Sequence, residues 1–374
     1  MHDSAQMGQA NAQEEMPAEL SSRHLAARLL QLAGLVVIVG LLLWLTPGLG
    51  SLRDQLSHAS APWFVAAGAA EVLSCFSYVV IFRAVFCARM SWRFTYQIGM
   101  AEQAANSLLP AGGAGGLALG AWALNRAGLS ADHIARRTVA FFLLTSLANV
   151  GTVALFAVGF AVGVLGEDTT PDFTYAFGAA ALLAIAIVLS LPIWYHRWVA
   201  KRQRLPEGAG RVRRGWRHVV DALGEGTSDS LTLVRRRPIP VLVGSFGYMG
   251  FDIAVLGFCF KAFGQSPDFG VLVFAYLIGQ LGGLVPLPGG IGGTEGGLIG
   301  VFAIYHVPVV QSAAAVLAYR ALALWIPGVL GSIAFVELRK TLRRQREVES
   351  ICEPLAEPIR GVGSADQRDA AYVS

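Results

Sequence analysis

The chain has 374 residues, of which 54% are apolar and only 14% are charged, and its formal net charge is +4. Soluble proteins carry roughly 25% charged residues, so this composition excludes an ordinary soluble domain and predicts a membrane protein. The basic residues lie between apolar segments, and we interpret them as a topology signal rather than as a surface for nucleic acid. The four cysteines are scattered without metal-ligand spacing, so the sequence predicts neither a metal site nor a cofactor.

Six apolar segments are long enough to cross a bilayer as helices, because about 20 apolar residues span its hydrocarbon core. Residues 1–22 and 347–374 are polar, and we expect disordered cytoplasmic tails around a membrane domain at 23–346. Two further apolar segments, 94–124 and 270–304, are interrupted by proline and clustered glycine. The six predicted spans are 29–46, 62–82, 138–165, 173–195, 239–260 and 312–336.

The two interruptions are similar in sequence, one at Leu109 to Gly116 and the other at Pro286 to Gly297. Helix interiors do not tolerate proline and clustered glycine. Broken backbone at membrane depth must be buried in protein or line a watery cavity. We therefore predict that each interrupted segment is a re-entrant helical hairpin. The residues of the two breaks are Pro110, Gly112, Gly113, Pro286, Pro288, Gly289, Gly290, Gly292 and Gly293.

The positions of Lys and Arg support both hairpins. The predicted cytoplasmic segments contain 24 of the 29 Lys and Arg, and the predicted external segments contain only Arg53 and Lys261. A hairpin that crossed the bilayer completely would move strongly basic loops outside, against the positive-inside rule. The units 62–165 and 239–336 then have opposite orientations, an inverted repeat typical of secondary transporters. The cytoplasmic segments are 1–28, 83–93, 125–137, 196–238 and 338–346, and the external segments are 47–61, 166–172, 261–269 and 305–311.

The basic loop 196–238 predicts an amphipathic helix on the anionic inner leaflet. Its apolar residues, among them Val212, Trp216 and Leu223, share one helical face. A solvated basic loop is the alternative that this pattern leaves open. The basic residues that we expect to contact the lipid surface are Arg211, Arg213, Arg214 and Arg217.

Ionisable residues inside the spans and hairpins are candidate site residues, because charge at membrane depth is costly. Glu295 follows the second break, where a helix N-terminus favours a negative group. Arg320 lies in the last span and is suited to bind a lipid phosphate bidentately. We expect the two side chains to share a polar face. A helix cap is the structural alternative for Glu295, and an ion pair is the structural alternative for Arg320.

The remaining candidates for the substrate path are polar side chains in the same spans and hairpins. They are Glu71, Glu102, Asn106, Asp252 and Gln280. Glu102 and Gln280 each precede the proline of their hairpin, Pro110 and Pro288, by eight residues, which indicates equivalent positions in the two halves. A neutral packing role remains the alternative for the acids, and interhelical hydrogen bonding is the simpler role for Asn106.

The second break resembles a pattern of a known family. Its spacing Pro-x-Pro-Gly-Gly-x-Gly-x-x-Glu ends at Glu295, and a Tyr319-Arg320 pair follows in the last span. These residues resemble the transmembrane region of lysylphosphatidylglycerol synthases and of the stand-alone flippase-like proteins that share it. In the first half, residues 106–110 and 126–130 resemble the family's Asn-x-Leu-Leu-Pro and Arg-x-Gly-x-Ser. The chain differs at 115–116 and 141–142, where the family often has Gly-Glu and Glu-Arg.

The resemblance covers roughly residues 28–340 and implies lipid movement between leaflets. In the bifunctional synthases a separate soluble domain makes the lipid. Only 28 residues follow Arg346 here, so we expect translocation without an enzymatic reaction.

We therefore predict an all-α polytopic protein of the plasma (inner) membrane, with both termini cytoplasmic, that translocates an anionic phospholipid or a lipid-linked headgroup. Its partners would be membrane lipids and not nucleic acid. The sequence leaves open whether the protein forms a homo-oligomer. One alternative is a proton-coupled transporter of a small solute, with Glu295 or Glu102 as the proton carrier. The other is a non-transporting membrane subunit of a cell-envelope complex.

Overall fold

The computed structural model describes residues 59–108, 114–164, 172–200, 211–284 and 292–344. Every regular element in these ranges is a helix, which confirms the all-α prediction for this part of the chain. A 3-10 helix, Gln280–Leu284, follows the eighth α-helix. The α-helices are α1 (Ala61–Phe86), α2 (Trp92–Leu108), α3 (Ala114–Arg126), α4 (Ala131–Ala161), α5 (Asp172–Ala200), α6 (Arg211–Arg236), α7 (Pro238–Ala262), α8 (Phe269–Gly279), α9 (Gly293–Ile304) and α10 (Val309–Arg344).

Five of these helices, α1, α4, α5, α7 and α10, are long and apolar enough to cross a membrane by length and composition. They overlap five of the predicted spans, at 62–82, 138–165, 173–195, 239–260 and 312–336. The sixth predicted span, 29–46, lies outside the described residues, as do the predicted tails 1–22 and 347–374. The chain is therefore an integral membrane protein with several apolar helices.

Helices α1 and α7 run antiparallel and pack against each other along most of their length. The Ser60 N–H, just before α1, donates to the Ala262 carbonyl at the end of α7, with an N–O distance of 2.8 Å. Further along the pair, a Cβ atom built on Gly244 would lie 2.6 Å from the Ile81 Cβ. Glycine at this contact lets the two backbones approach closely, as is common between membrane helices.

The two interrupted segments each form a pair of short helices. Helix α2 packs against α3, and α8 packs against α9. Helices α8 and α9 have 11 and 12 residues. At 1.5 Å per residue each is about 17 Å long, roughly half of the hydrocarbon thickness. Neither helix is therefore long enough to cross a bilayer alone.

Two of the predicted break residues fall within the described ranges. Gly292 directly precedes α9 and has a φ of 88°, in the left-handed region that favours glycine. Gly293 is the first residue of α9. The other predicted break residues lie outside the described part of the chain. They are Pro110, Gly112, Gly113, Pro286, Pro288, Gly289 and Gly290.

Helix α10 connects helices that are distant in the chain, because it packs against α2 as well as α7 and α9. The contact with α2 is very close at Gly331. A Cβ atom built there would lie 2.0 Å from the Met100 carbonyl oxygen. This contact leaves no room for a larger residue at position 331.

The basic segment 211–236 is a helix, α6, and it packs against α4 and α5. Arg136 Nη1 of α4 lies 3.1 Å from Glu225 Oε2 of α6. The apolar side chains Val219 and Leu223 of α6 are about half exposed. The side chains of Arg211, Arg213, Arg214 and Arg217 lie outside the described atoms, so their contact with a lipid surface stays a prediction.

Several loops and helix ends gather at one end of the molecule, which we call the basic end. It contains the end of α1, the starts of α2 and α4, helix α6 and the end of α10. A ring nitrogen of His133 in α4 lies 3.2 Å from the Phe86 carbonyl oxygen at the end of α1. Arg93 of α2 lies 3.9 Å from Glu337 of α10, measured between Nη2 and Oε2. The start of α1 and the end of α7 form part of the opposite end.

Candidate functional site

Polar side chains from α1, α7, α8, α10 and the 3-10 helix meet inside the apolar helices. The Tyr319 hydroxyl donates to Asp252 Oδ2 at 2.9 Å, and the Tyr276 hydroxyl donates to the same oxygen. Gln280 Nε2 donates to the Tyr319 hydroxyl at 3.0 Å. We call these four residues together with Glu71 the inner polar cluster.

Glu71 of α1 brings a second carboxyl group to this cluster. Its side chain is buried, with 4% of the residue exposed. Its carboxyl group lies within hydrogen-bonding reach of the Asp252 carboxyl group. The Cys75 thiol is 3.9 Å from Glu71 Oε1 and donates a weak hydrogen bond to it. Two acids from the antiparallel pair α1 and α7 therefore face each other inside the molecule.

An ion pair between Arg320 and Glu295 lies beside the inner polar cluster. Arg320 Nε of α10 is 2.8 Å from Glu295 Oε1 of α9. The other carboxylate oxygen, Oε2, accepts a hydrogen bond of 2.6 Å from the Gly292 N–H at the start of α9. Glu295 therefore caps α9 and binds Arg320 at the same time. The helix cap expected for Glu295 and the ion pair expected for Arg320 are both present.

This ion pair is almost closed to solvent. The Arg320 side chain is 11% exposed and the Glu295 side chain is 13% exposed. An unpaired charge near the bilayer centre costs about 2.5–3.5 kcal/mol on insertion scales, and pairing removes much of that cost. Arg320 also interacts electrostatically with Asp252, which connects the ion pair to the inner polar cluster. The two groups therefore form one continuous site.

Glu102 and Asn106 lie in a separate group between α2 and α3. Glu102 hydrogen bonds with the Tyr78 side chain of α1. Asn106 Oδ1 accepts a hydrogen bond of 3.0 Å from the Gly116 N–H of α3. The ring of Tyr78 contacts that of Tyr248, with centroids 5.4 Å apart, and Tyr248 is one turn from Asp252 on α7. The structure thus brings together five of the seven predicted polar candidates and places these two apart from the ion pair.

Two tyrosines of the site were absent from the candidates that we derived from sequence. Tyr276 and Tyr319 are uncharged aromatic residues in apolar segments, so a search for charged and amide side chains passes over them. A signal was present for Tyr276, because it is the only polar residue of α8. A buried tyrosine hydroxyl needs a hydrogen-bond partner, so an isolated tyrosine in a span is a pointer to a polar neighbour.

A pocket of about 490 Å³ lies at the basic end, between the start of α2 and the end of α10. Gln97 Nε2 donates to Glu337 Oε2 across this pocket at 3.2 Å. Both signs of charge occur in its wall. The lining residues are Ser91, Arg93, Phe94, Gln97, Glu337, Lys340 and Thr341.

Comparison with known proteins identifies the family. Residues 31–331 match the family described as the lysylphosphatidylglycerol synthase TM region, which is most of the chain. The chain belongs to this family. A curated relative, the UPF0104 membrane protein of Methanothermobacter thermautotrophicus, is 29% identical to this chain over 164 residues, which is 44% of the chain. That match covers 45% of the relative, so the chain spans about half the length of this curated protein.

Two parts of the pattern that resembles the lysylphosphatidylglycerol synthase TM family lie on different helices of the site. The glycine-rich pattern ends at Glu295, and the Tyr319-Arg320 pair lies in another helix. These two parts of the pattern meet in space, since Arg320 binds Glu295 and Tyr319 binds Asp252. Three residues of the pattern, Glu295, Tyr319 and Arg320, therefore belong to the site.

Proposed function

We propose that this family member translocates an anionic phospholipid, or a lipid with an anionic linked headgroup, between the two leaflets, without a covalent reaction. The observation that carries the proposal is the buried Arg320–Glu295 ion pair beside the inner polar cluster. A guanidinium group binds phosphate through two parallel hydrogen bonds. A lipid phosphate would compete with the Glu295 carboxylate for Arg320, which offers a way to bind and release a headgroup inside the protein.

We also propose that 94–124 is a re-entrant hairpin that starts and ends at the cytoplasmic face. In its support, the end of α1 and the start of α4 are neighbours, as the contact between Phe86 and His133 demonstrates. The whole segment α2–α3 lies between these two residues in the chain. A segment that crossed the bilayer once would separate its ends by about 30 Å.

The same reasoning applies to the second hairpin, 270–304, at the opposite face. Phe269 at the start of α8 packs on Phe156 of α4, with ring centroids 6.0 Å apart. Tyr305, just after α9, packs on Phe160 of α4, with ring centroids 6.2 Å apart. Both ends of the hairpin therefore lie one turn apart along α4, far from the basic end. Six spans with two oppositely directed hairpins form the inverted repeat that we propose.

The two units of this repeat differ in their chemistry. With Pro110 aligned to Pro288, Tyr319 and Arg320 correspond to Phe141 and Phe142. Phe141 is buried and its ring contacts Tyr78, with centroids 5.3 Å apart. The first unit thus has an aromatic contact where the second has a tyrosine and an arginine. We therefore place the headgroup site in the second unit, closed on one side by α1.

Cysteine labelling tests the proposed topology. Single cysteines at Arg89 and Arg126, on either side of the first hairpin, and at position 204 in the basic loop are expected to react with an impermeant maleimide only in opened cells. A cysteine at position 170 is expected to react in intact cells. The parent for these variants has Cys87 and Cys352 replaced by serine, and without added cysteines it is the control, since Cys75 and Cys259 are buried. Labelling of 89 and 126 from opposite sides would contradict the hairpin.

A leaflet assay in proteoliposomes tests the proposed function. Fluorescent lipids with anionic, zwitterionic and neutral headgroups are incorporated in both leaflets, and an impermeant quencher reports the fraction that reaches the outer leaflet. We expect the protein to accelerate exchange, most strongly for anionic headgroups. Exchange no faster than in vesicles without protein would contradict translocation. Uptake of the water-soluble headgroup without its acyl chains would favour a solute transporter instead.

A further inference from the structure

Two acids of the inner polar cluster have no role in headgroup binding as proposed above. Glu71 lies near the middle of α1 and Asp252 near the middle of α7, and both helices are candidate membrane spans. Their carboxyl groups lie within hydrogen-bonding reach of each other. Two carboxylates in contact away from water repel each other strongly, so one of them is stable only with a proton.

The hydrogen bonds around the pair indicate where a proton is missing. Asp252 Oδ2 accepts hydrogen bonds from both Tyr276 and Tyr319. Among the described residues, Glu71 has only the weak Cys75 thiol as a donor to Oε1, and no donor reaches its buried Oε2 atom. A buried acceptor without a donor costs roughly 1–3 kcal/mol. A proton on the Glu71 carboxyl group would convert this unpaired acceptor into a donor facing Asp252.

The helices packed around the Glu71–Asp252 pair contribute several other ionisable groups. Helix α1 contributes Cys75, α7 contributes Tyr248 and Cys259, and α8 contributes Tyr276. Helix α10 contributes Tyr319 and Arg320, and Arg320 is held by Glu295 of α9. On α2, Glu102 bonds to Tyr78 rather than to the pair. Among the described residues, Arg320 is therefore the cation that interacts electrostatically with Asp252.

We propose that the Glu71–Asp252 pair binds one proton and that this proton moves together with the anionic headgroup. The inference rests on the proposed lipid translocation, because the headgroup acts through Arg320. A phosphate bound to Arg320 brings negative charge towards Asp252 and so favours proton uptake by the pair from one aqueous side. Release of the phosphate favours loss of the proton to the other side. Binding of the two ligands is then reciprocally coupled.

Glu71→Gln is the sharpest variant for this proposal. Glutamine has nearly the same shape and its amide nitrogen can donate to Asp252 permanently, so the variant mimics a pair that cannot release its proton. Glu102→Gln is the matched control, because Glu102 is a buried glutamate in the separate group around Tyr78. Both variants replace one buried carboxyl group by an amide.

Infrared spectroscopy of the purified protein in nanodiscs detects the proton without a transport assay. At neutral pH we expect one carboxylic acid carbonyl band of the wild-type protein to disappear in Glu71→Gln and to remain in Glu102→Gln. This readout is independent of lipid movement. A wild-type spectrum from which Glu71→Gln removes no carboxylic acid band would overturn the proton site.

Proteoliposomes with an imposed pH gradient test the coupling. One proton per lipid predicts that a gradient of one pH unit shifts the steady-state leaflet ratio of an anionic lipid by about tenfold, because one pH unit is a factor of ten in proton activity. Glu71→Gln is expected to equilibrate the lipid without any response to the gradient, whereas Glu102→Gln should respond as the wild type does.

The outcomes separate this inference from the proposed function. Lipid exchange by the wild type that ignores the pH gradient would overturn the coupling and leave translocation standing. A shift driven by a sodium gradient at constant pH would overturn the assignment of the ion. If no lipid moves in any vesicle, the proposed function and the coupling both fail, and the infrared band alone decides whether the pair holds a proton.

Discussion

Replacing Arg320 with alanine is expected to reduce lipid translocation in proteoliposomes by at least about tenfold. Arg320 is the buried cation of the site, and a hydrogen bond to a charged group contributes about 1.5–3 kcal/mol, with 1.4 kcal/mol corresponding to tenfold. Glu295→Gln should also abolish most of the activity, because it removes the charge that Arg320 exchanges for a phosphate. Arg320→Lys is expected to restore only part of the rate, since an ammonium group cannot bind phosphate bidentately.

A control is needed because removing either partner leaves a buried charge without its counter-charge. Lys261→Ala is a suitable control. Lys261 is a cation in the last turn of α7 and lies over the Trp63 ring at 4.8 Å, away from the ion pair. We expect this variant to translocate lipid at the wild-type rate. Folding of each variant is checked by size-exclusion chromatography before the leaflet assay.

Two results would contradict the role of Arg320 in headgroup binding. Full activity in the Arg320→Ala protein would remove the role directly. Loss of folded protein in both single variants, with folded and active protein restored in the double variant Glu295→Gln/Arg320→Ala, would instead identify the pair as purely structural. Retained folding with lost activity in the single variants is the outcome that the proposed function requires.

Gly331→Ala is expected to destabilise the protein by about 1–3 kcal/mol or more, as overpacking of a close contact does. The added Cβ atom would lie 2.0 Å from the Met100 carbonyl oxygen and 2.6 Å from the Ala104 Cβ, so α2 and α10 would have to separate. These helices belong to different units of the proposed repeat. The change should therefore lower the thermal midpoint in detergent and weaken the contact between the two halves.

Gly300→Ala is the matched control for this prediction. Gly300 also lies within a helix, α9, but no atom lies within 4 Å of a Cβ built on it. Alanine is favoured over glycine within helices by roughly 0.5–1 kcal/mol, so this variant should be as stable as the wild type or slightly more stable. Equal thermal midpoints for the two variants would contradict the close contact between α2 and α10.

The Arg320–Glu295 contact is the part of the site that the sequence predicted. Glu295 follows a glycine-rich break and Arg320 is the arginine of the last span, so the cost of isolated charge in lipid predicted that they would meet. The close approach of Glu71 and Asp252 was not predicted, although both were candidates. Their contact depends on the rotation of α1 against α7, two helices that also pack closely where Gly244 meets Ile81.

The separation of Glu102 from the ion pair is a further result that only the structure supplies. Glu102 and Gln280 occupy matching positions before the two breaks, yet Gln280 binds Tyr319 and Glu102 bonds with Tyr78. The units share a pattern of spans, but their side-chain partners come from different helices. An equivalent position in a repeat therefore does not imply an equivalent environment, because the residues at matching positions of the two units differ.

The amino-acid sequence alone determined the membrane class, five of the long apolar helices, the two interrupted segments and the family. These features depend on local composition and spacing, and a bilayer requires about 20 apolar residues in a row whatever the tertiary contacts are. Tertiary structure alone decided that Tyr276 and Tyr319 both donate to Asp252, and that Glu71 faces it from α1. Such contacts depend on how helices distant in sequence rotate and pack, and hydropathy carries no information about that rotation.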